Sequence, residues 1–338
     1  MTVRSAAAAL LAAASVASLA ACADSASVTA PTASAPSAPS AAKNLEFNPR
    51  HEFHTREYFA REDASNGAAR SARPSSGTGI SYHGGPVLLS ATNVAAVYWG
   101  NPGYNNLPAG HGAGSADGSL LGTFLRGLGG TPYYHINSSY TNGTTAIANV
   151  VNYTQYWNNT AAPASASPTD ADMVAMLQAG ITSGAITYDA STVYAIFTGN
   201  GVNLGGGFGS QYCAYHTHGT VSVNGVNKTI LFAAMPYNAQ YPTGCTSQYA
   251  AANGTVDPAA DAEVNTLAHE IEETTTDMMG NAWYDSRGYE NADKCAWTWG
   301  TVQTAANGGK YNVTFGGTNF LIQQNWVNAG SGGCALSY

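Results

Sequence analysis

Four cysteines constrain this chain more than any other feature: Cys213, Cys245, Cys295 and Cys334 all fall in its C-terminal half. In an oxidising compartment an even set of cysteines forms disulfides, and four allow three connectivities. Pairing between sequence neighbours, Cys213 with Cys245 and Cys295 with Cys334, is the expected arrangement. A four-cysteine zinc site is the rival, but no C-x-x-C pair supports it. A thiol redox protein is disfavoured on the same ground, because no pair has redox spacing.

The N-terminus supplies the oxidising compartment. Arg4 precedes residues 6–20, a run of small and apolar side chains with the length of a signal-peptide core. It is too short and too alanine-rich for a transmembrane helix, which needs ~20 strongly apolar residues. The run ends in Leu19-Ala20-Ala21-Cys22, which resembles a bacterial lipobox. Residues 1–21 are therefore read as a signal peptide and Cys22 as the lipidated first residue of the mature chain. Ordinary cleavage at Ala21-Cys22-Ala23 is the alternative. The expected location is the bacterial cell envelope, with the outer membrane favoured, or the extracellular medium. Membrane contact would run only through the lipid.

Residues 25–42 are almost wholly Ala, Ser, Pro, Thr and Val, a composition that gives a flexible tether. Residues 43–79 are polar and locally charged and read as linker, with a partly helical arm or an inhibitory pro-segment as the alternatives. The globular domain is expected at 81–338, long enough for one substantial core. Charged residues make up 9% of the chain and the net charge is −8, so nucleic acid is excluded as a partner. Tyrosine, at 20 residues, suits a peptide or cell-wall glycan surface. The chain is expected to be a monomer.

Strand and helix signals mix without a strict βαβ rhythm, which predicts a mixed α/β (α+β) domain around a central mixed sheet. Residues 86–99 and 192–197 read as strands. Residues 221–235 read as a hairpin turning at Asn224-Gly225, a strong hairpin signal. A second hairpin is expected over 311–315 and 319–326, around Gly316-Gly317. Residues 120–128 form a short helix, and Ser167-Pro168-Thr169-Asp170 caps another that runs to about residue 181.

The most informative helix opens at Asp257-Pro258, an N-cap followed by a residue preorganised for the first helical position. Ala260, Val264, Leu267 and Ile271 form its apolar stripe. Glu263, His269, Glu270, Glu273 and Asp277 lie on the other side. His269 and Glu273 stand one turn apart on one face. The segment His269-Glu270-Ile271-Glu272-Glu273 resembles the H-E-x-x-H helix of zinc peptidases, with glutamate in place of the second histidine. Two ligands one turn apart grip a divalent ion, and the intervening Glu270 serves as general base. Glu290 and Asp293 are the candidates for a third ligand. His216 and His218, an H-x-H pair sharing one face of a strand, are candidates to complete the site.

Several ordered motifs then resemble the Exordium, or phosphate-induced protein, family. They are Tyr82-His83-Gly84-Gly85-Pro86-Val87-Leu88, Cys213-Ala214-Tyr215-His216, Ala268 through Glu273, Asn281-Ala282-Trp283-Tyr284, Glu290 through Cys295, and Phe320-Leu321-Ile322-Gln323 with Cys334. The likeness spans nearly all of 81–338. It implies a secreted or cell-wall protein with a zincin-like domain, and it carries His216, His269, Glu270, Glu273 and Asp293 over as site residues. Two departures stand out: Asp277-Met278 replaces the Asn-Pro usual in the plant members, and Lys294 makes the D-x-C segment more basic. The functional expectation is a metal-dependent peptidase or hydrolase. Zinc is the expected ion, and the carboxylate-rich ligand set leaves manganese or calcium open. A non-catalytic extracellular or cell-wall binding protein is the alternative.

Overall fold

The computed structural model describes residues 50–66, 79–254 and 256–338. Residues 1–21, read as a signal peptide, Cys22 and the expected tether at 25–42 lie outside them. The described chain builds a mixed α+β fold on a seven-stranded sheet. In chain order its strands are β1 (His51–His54), β2 (Thr92–Trp99), β3 (His111–Ala113), β4 (Val151–Asn159), β5 (Thr192–Thr198), β6 (Tyr212–Val223) and β7 (Val226–Met235). Their spatial order is β1-β6-β7-β5-β2-β4-β3. The centre is parallel, with β2 beside β4 and β5, and β5 beside β7. Both edges are antiparallel.

Strand β2 shows why the sheet is sandwiched. Val94, Ala96 and Tyr98 enter one core while Ala95, Val97 and Trp99 enter another. Period-two alternation with both faces apolar demands a cover on each side. On one face lie Leu121, Phe124 and Leu125 of helix α2 (Leu120–Leu128), with Val264, Leu267 and Ile271 of helix α4 (Pro258–Thr276). On the other, helix α3 (Asp170–Ser183) contributes Met173, Met176 and Leu177. Each fully buried aliphatic side chain contributes ~1.5–3 kcal/mol, so these stripes fix the helices to the sheet.

The 224–225 turn sits as expected, with Asn224 and Gly225 both at positive φ between β6 and β7. Two strand boundaries differ from the sequence reading. The strand expected from residue 86 begins only at Thr92, because Leu88 donates its N–H to the carbonyl of Thr275 at the end of α4. The second hairpin is shorter, Val313–Phe315 against Thr318–Phe320. Beyond it Gln323 turns inward to donate its N–H to Asn265 Oδ1, and Asn325–Val327 pairs with Gly333–Ala335 instead.

The larger correction concerns the domain boundary. Residues expected to be linker contribute β1, which adds to the sheet edge, and helix α1 (Arg56–Asn66), which follows it. Phe53 and Phe59 are buried. The packed domain therefore starts about thirty residues before the expected position, as the described residues from Arg50 show. Aromatic side chains at 53, 58 and 59 supply burial that a linker composition would lack.

Both disulfides join sequence neighbours, Cys213–Cys245 and Cys295–Cys334. They point to an oxidising, extracellular setting. Among the described residues no helix is long and apolar enough to cross a membrane. Cys213–Cys245 closes a loop of sequence separation 32. Replacing both cysteines by alanine is expected to lower stability by about 3–4 kcal/mol, the loop-closure entropy returned to the unfolded chain. Urea denaturation measures it, and a loss below ~1 kcal/mol would show that the staple contributes little.

Candidate metal centre

Helix α4 carries the site, and its ends are firmly set. Asp257 Oδ1 accepts from the N–H of Ala260, and Pro258 occupies the first turn. At the other end the Asp277 carboxylate accepts from the N–H groups of Asn281, Ala282 and Trp283. This carboxylate turns the chain out of the helix, a role that asparagine-proline would have to fill differently. Every residue from Glu263 to Thr276 is buried. A solvated acidic stripe is thereby excluded, and the buried carboxylates need partners.

Their partners come from three directions. His216 projects from β6 and stands opposite His51 of β1 in the strand register. Glu290 and Asp293 come from the segment after α4, anchored by Cys295–Cys334. His269 Nε2 lies 2.9 Å from Glu273 Oε1 and 3.6 Å from Asp293 Oδ1. The Asp293 N–H donates to that same Glu273 oxygen at 2.9 Å, which fixes the carboxylate. His216 Nδ1 lies 3.2 Å from Glu270 Oε2 and 3.8 Å from Glu273 Oε2. His216 Nε2 lies 3.7 Å from Glu290 Oε2, and His51 Nδ1 lies 3.0 Å from the same oxygen. A tetrahedral ion with ligands at ~2.1 Å separates its donor atoms by roughly 3.4 Å, and these separations bracket that value.

Three overlapping groups could thus hold a cation: His269-Glu273-Asp293, His216-Glu270-Glu273 and His51-His216-Glu290. All five expected ligand candidates and Glu270 enter at least one. His218 enters none; it lies half-buried farther along β6. His51 was not among the sequence candidates. Its signal was the His51-Glu52-Phe53-His54 cluster inside an otherwise linker-like segment.

The electrostatics favour a cation. Burial pushes the Glu270, Glu273 and Glu290 carboxyls well above the ordinary carboxylate range. Neighbouring acids push Glu270 and Glu290 further, Glu273 foremost in each case, and Asp277 does the same to Glu273. Burial likewise lowers His51 to about 4, helped by His218. His216 falls well below its usual value through burial and then the charges of His51 and His269. Neutral imidazoles are the ligating form. Glu270 Oε1, Glu273 Oε2 and His216 Nε2 are buried without hydrogen-bond partners. In a pocket holding this many acids, a bound divalent ion would supply compensating positive charge.

Aromatic rings brace the ligands. Phe53 of β1 stacks on His269, with centroids 3.9 Å apart, and on Trp297 at 4.7 Å. Trp297 adopts φ 61°, a left-handed conformation uncommon for an aromatic residue, and its Nε1–H donates to the carbonyl of His54. Lys294 is buried, with Nζ 3.6 Å from Asp285 Oδ2 and 4.4 Å from the Trp326 ring centroid. A cleft of about 570 Å³ opens beside the centre, lined by residues that include Arg50, His51, Tyr58, Tyr289 and Asp293. The Asp293 side chain is 10% exposed and that of His51 18%, so these two mark the entrance.

Comparison with protein-family models, curated proteins and solved structures finds no match for this chain. The functional reading therefore rests on the site itself.

Proposed function

We propose that the protein is an exported metal-dependent hydrolase, a zincin-like peptidase of the Exordium kind held at the bacterial cell surface by a lipid on Cys22. The observation that carries this reading is the buried centre on α4, where His269, Glu273 and Asp293 converge within ion-binding distance and Glu270 keeps an unpartnered oxygen. His269, Glu273 and Asp293 would hold the ion, and zinc accepts both imidazole and carboxylate donors. When bound, such an ion acidifies a water and polarises a carbonyl.

This chain's residues perform the remaining work. Glu270 Oε2 accepts from His216 Nδ1–H, which leaves Oε1 to take the proton of the attacking water. Burial, and then the neighbouring acids with Glu273 foremost, raise the proton affinity of that carboxyl above the ordinary range. The same oxygen then hands the proton to the departing amine. Peptide is the favoured substrate because β1 is the edge strand of the sheet and borders the cleft. An extended chain could add there by main-chain hydrogen bonds.

The alternative, a non-catalytic extracellular or cell-wall binding protein, draws on the near-complete burial of His216, His269 and Glu270. Closed sites are structural more often than catalytic. The cleft reaching Asp293 favours hydrolysis.

Elemental analysis of the full chain beside a His269→Ala/Glu273→Ala variant tests the proposal. At least one equivalent of metal in the native protein, with one equivalent fewer in the variant, is the expected result. No bound metal after equilibration with zinc, manganese or calcium would remove the hydrolase reading.

A further inference from the structure

The geometry points to a second cation position, formed by His51 Nδ1, His216 Nε2 and Glu290 Oε2, beside the one on His269, Glu273 and Asp293. The inference rests on the metal centre proposed above and extends it to a paired-ion centre. The two triads share no residue. Glu273 Oε1 faces His269, and its Oε2 lies 3.8 Å from His216 Nδ1, the ring nitrogen that is not the proposed ligand.

Three observations carry it. First, His216 is oriented as a ligand. Its Nδ1 lies 3.2 Å from Glu270 Oε2; in the tautomer that donates Nδ1–H to an ionised Glu270, the lone pair sits on Nε2. A carboxylate holding the far nitrogen is the usual support of a metal-bound histidine. Second, Nε2 is buried without a hydrogen-bond partner, in a residue 1% exposed, and it faces Glu290. Third, the fold makes room for the third ligand. A Cβ at Gly280 would lie 2.1 Å from His51 Nε2, and Gly280 holds φ +68°. Only glycine both adopts that turn and admits the His51 ring.

His51 also ties this position to the N-terminal arm. Arg50 pairs with Asp170 at 3.0 Å, and the N–H of Thr55 donates to the carbonyl of Gln211, so the arm is pinned on either side of β1. The second position is complete only with β1 docked on β6. A pair of divalent ions would suit hydrolysis of an ester, amide or phosphoester, since one could serve the attacking oxygen and the other the leaving oxygen or carbonyl.

Equilibrium dialysis of the full chain against zinc, followed by elemental analysis, reads the stoichiometry directly. Two equivalents in the native protein and one in His51→Gln are expected, with the remaining ion lost on His269→Ala. One equivalent in the native protein, unchanged in His51→Gln, overturns the second position while the hydrolase reading stands. Two equivalents persisting in His51→Gln also overturn it. No zinc in the native protein removes both readings. Gly280→Ala displaces the His51 ring without touching a ligand and is expected to leave one equivalent. Should His51→Gln fail to fold by circular dichroism, Gly280→Ala gives the same decision.

Discussion

Glu270→Gln is expected to lower hydrolytic turnover by roughly 100- to 10,000-fold, the usual worth of a positioned general base, while metal content stays unchanged. Glutamine keeps the size of the side chain and can still accept the Nδ1–H of His216 through its amide oxygen. It cannot take a proton from water. The split between retained metal and lost turnover separates this role from ligation, because replacing a ligand such as Glu273 should remove both. Single-turnover measurements on a peptide library, with metal quantified on the same samples, make the comparison. Turnover within threefold of the native protein would sink Glu270 as the base. Loss of metal along with turnover would reassign it to the ligand set, where its place in the His216-Glu270-Glu273 group would put it.

The parts of this fold legible in the sequence are those set by short-range chemistry. Asp257-Pro258 announced α4, Asn224-Gly225 announced the β6–β7 hairpin, and Thr169 caps α3 through a reciprocal bond with Asp172. The pairing of neighbouring cysteines was likewise readable. What was not legible depends on contacts far apart in the chain. Residues 86–91 look like strand by composition, yet their backbone bonds go to the end of α4 and to residue 148 rather than to a ladder. The C-terminal strand pairing changes because Gln323 is drawn to Asn265, a partner 58 residues away.

The site followed the same division. His269, Glu270 and Glu273 could be found because helical spacing places them on adjoining faces, and Glu290 and Asp293 because a third ligand had to follow the helix. The share of His51 could not be seen, since it depends on the register of β1 against β6. Local composition gave residues 43–79 the look of linker, and only the sheet edge gives β1 its use. Burial of the whole polar face of α4 was also invisible in the sequence, where an acidic stripe reads as solvated. Being buried, each of those carboxylates must be accounted for, and the one six residues before His269 offers the clearest titration.

That carboxylate is Glu263, and Glu263→Gln is expected to make the protein more stable than the native chain above pH 8 while the two are nearly equal near pH 5. Glu263 is fully buried, and its oxygens accept from the N–H and the side-chain amide of Asn238 at 3.2 Å, which ties the 238–240 loop to α4. Burial outweighs these hydrogen bonds and raises its pKa from 4.5 to about 8. In the unfolded chain the group ionises near 4.5, so between that pH and 8 the native state binds the extra proton. Stability from this group is therefore fully present below about pH 4.5, falls as pH rises, and levels off above 8. At about 1.4 kcal/mol per pH unit the whole span costs roughly 4–5 kcal/mol. Glutamine has no charge to bury, and Asn238 Oδ1, which lacks a partner, can accept from the new amide once the Asn238 side chain turns over. Allowing ~1–2 kcal/mol for the rearranged hydrogen bonds, the variant should gain ~2–4 kcal/mol at pH 9. Urea denaturation of both proteins at pH 5, 7 and 9 makes the test, and the difference between them cancels the titrating groups that Glu263 does not touch electrostatically. A native chain that outlasts the variant at pH 9 would mean that Glu263 is ionised in the fold and held by Asn238 more strongly than burial opposes it.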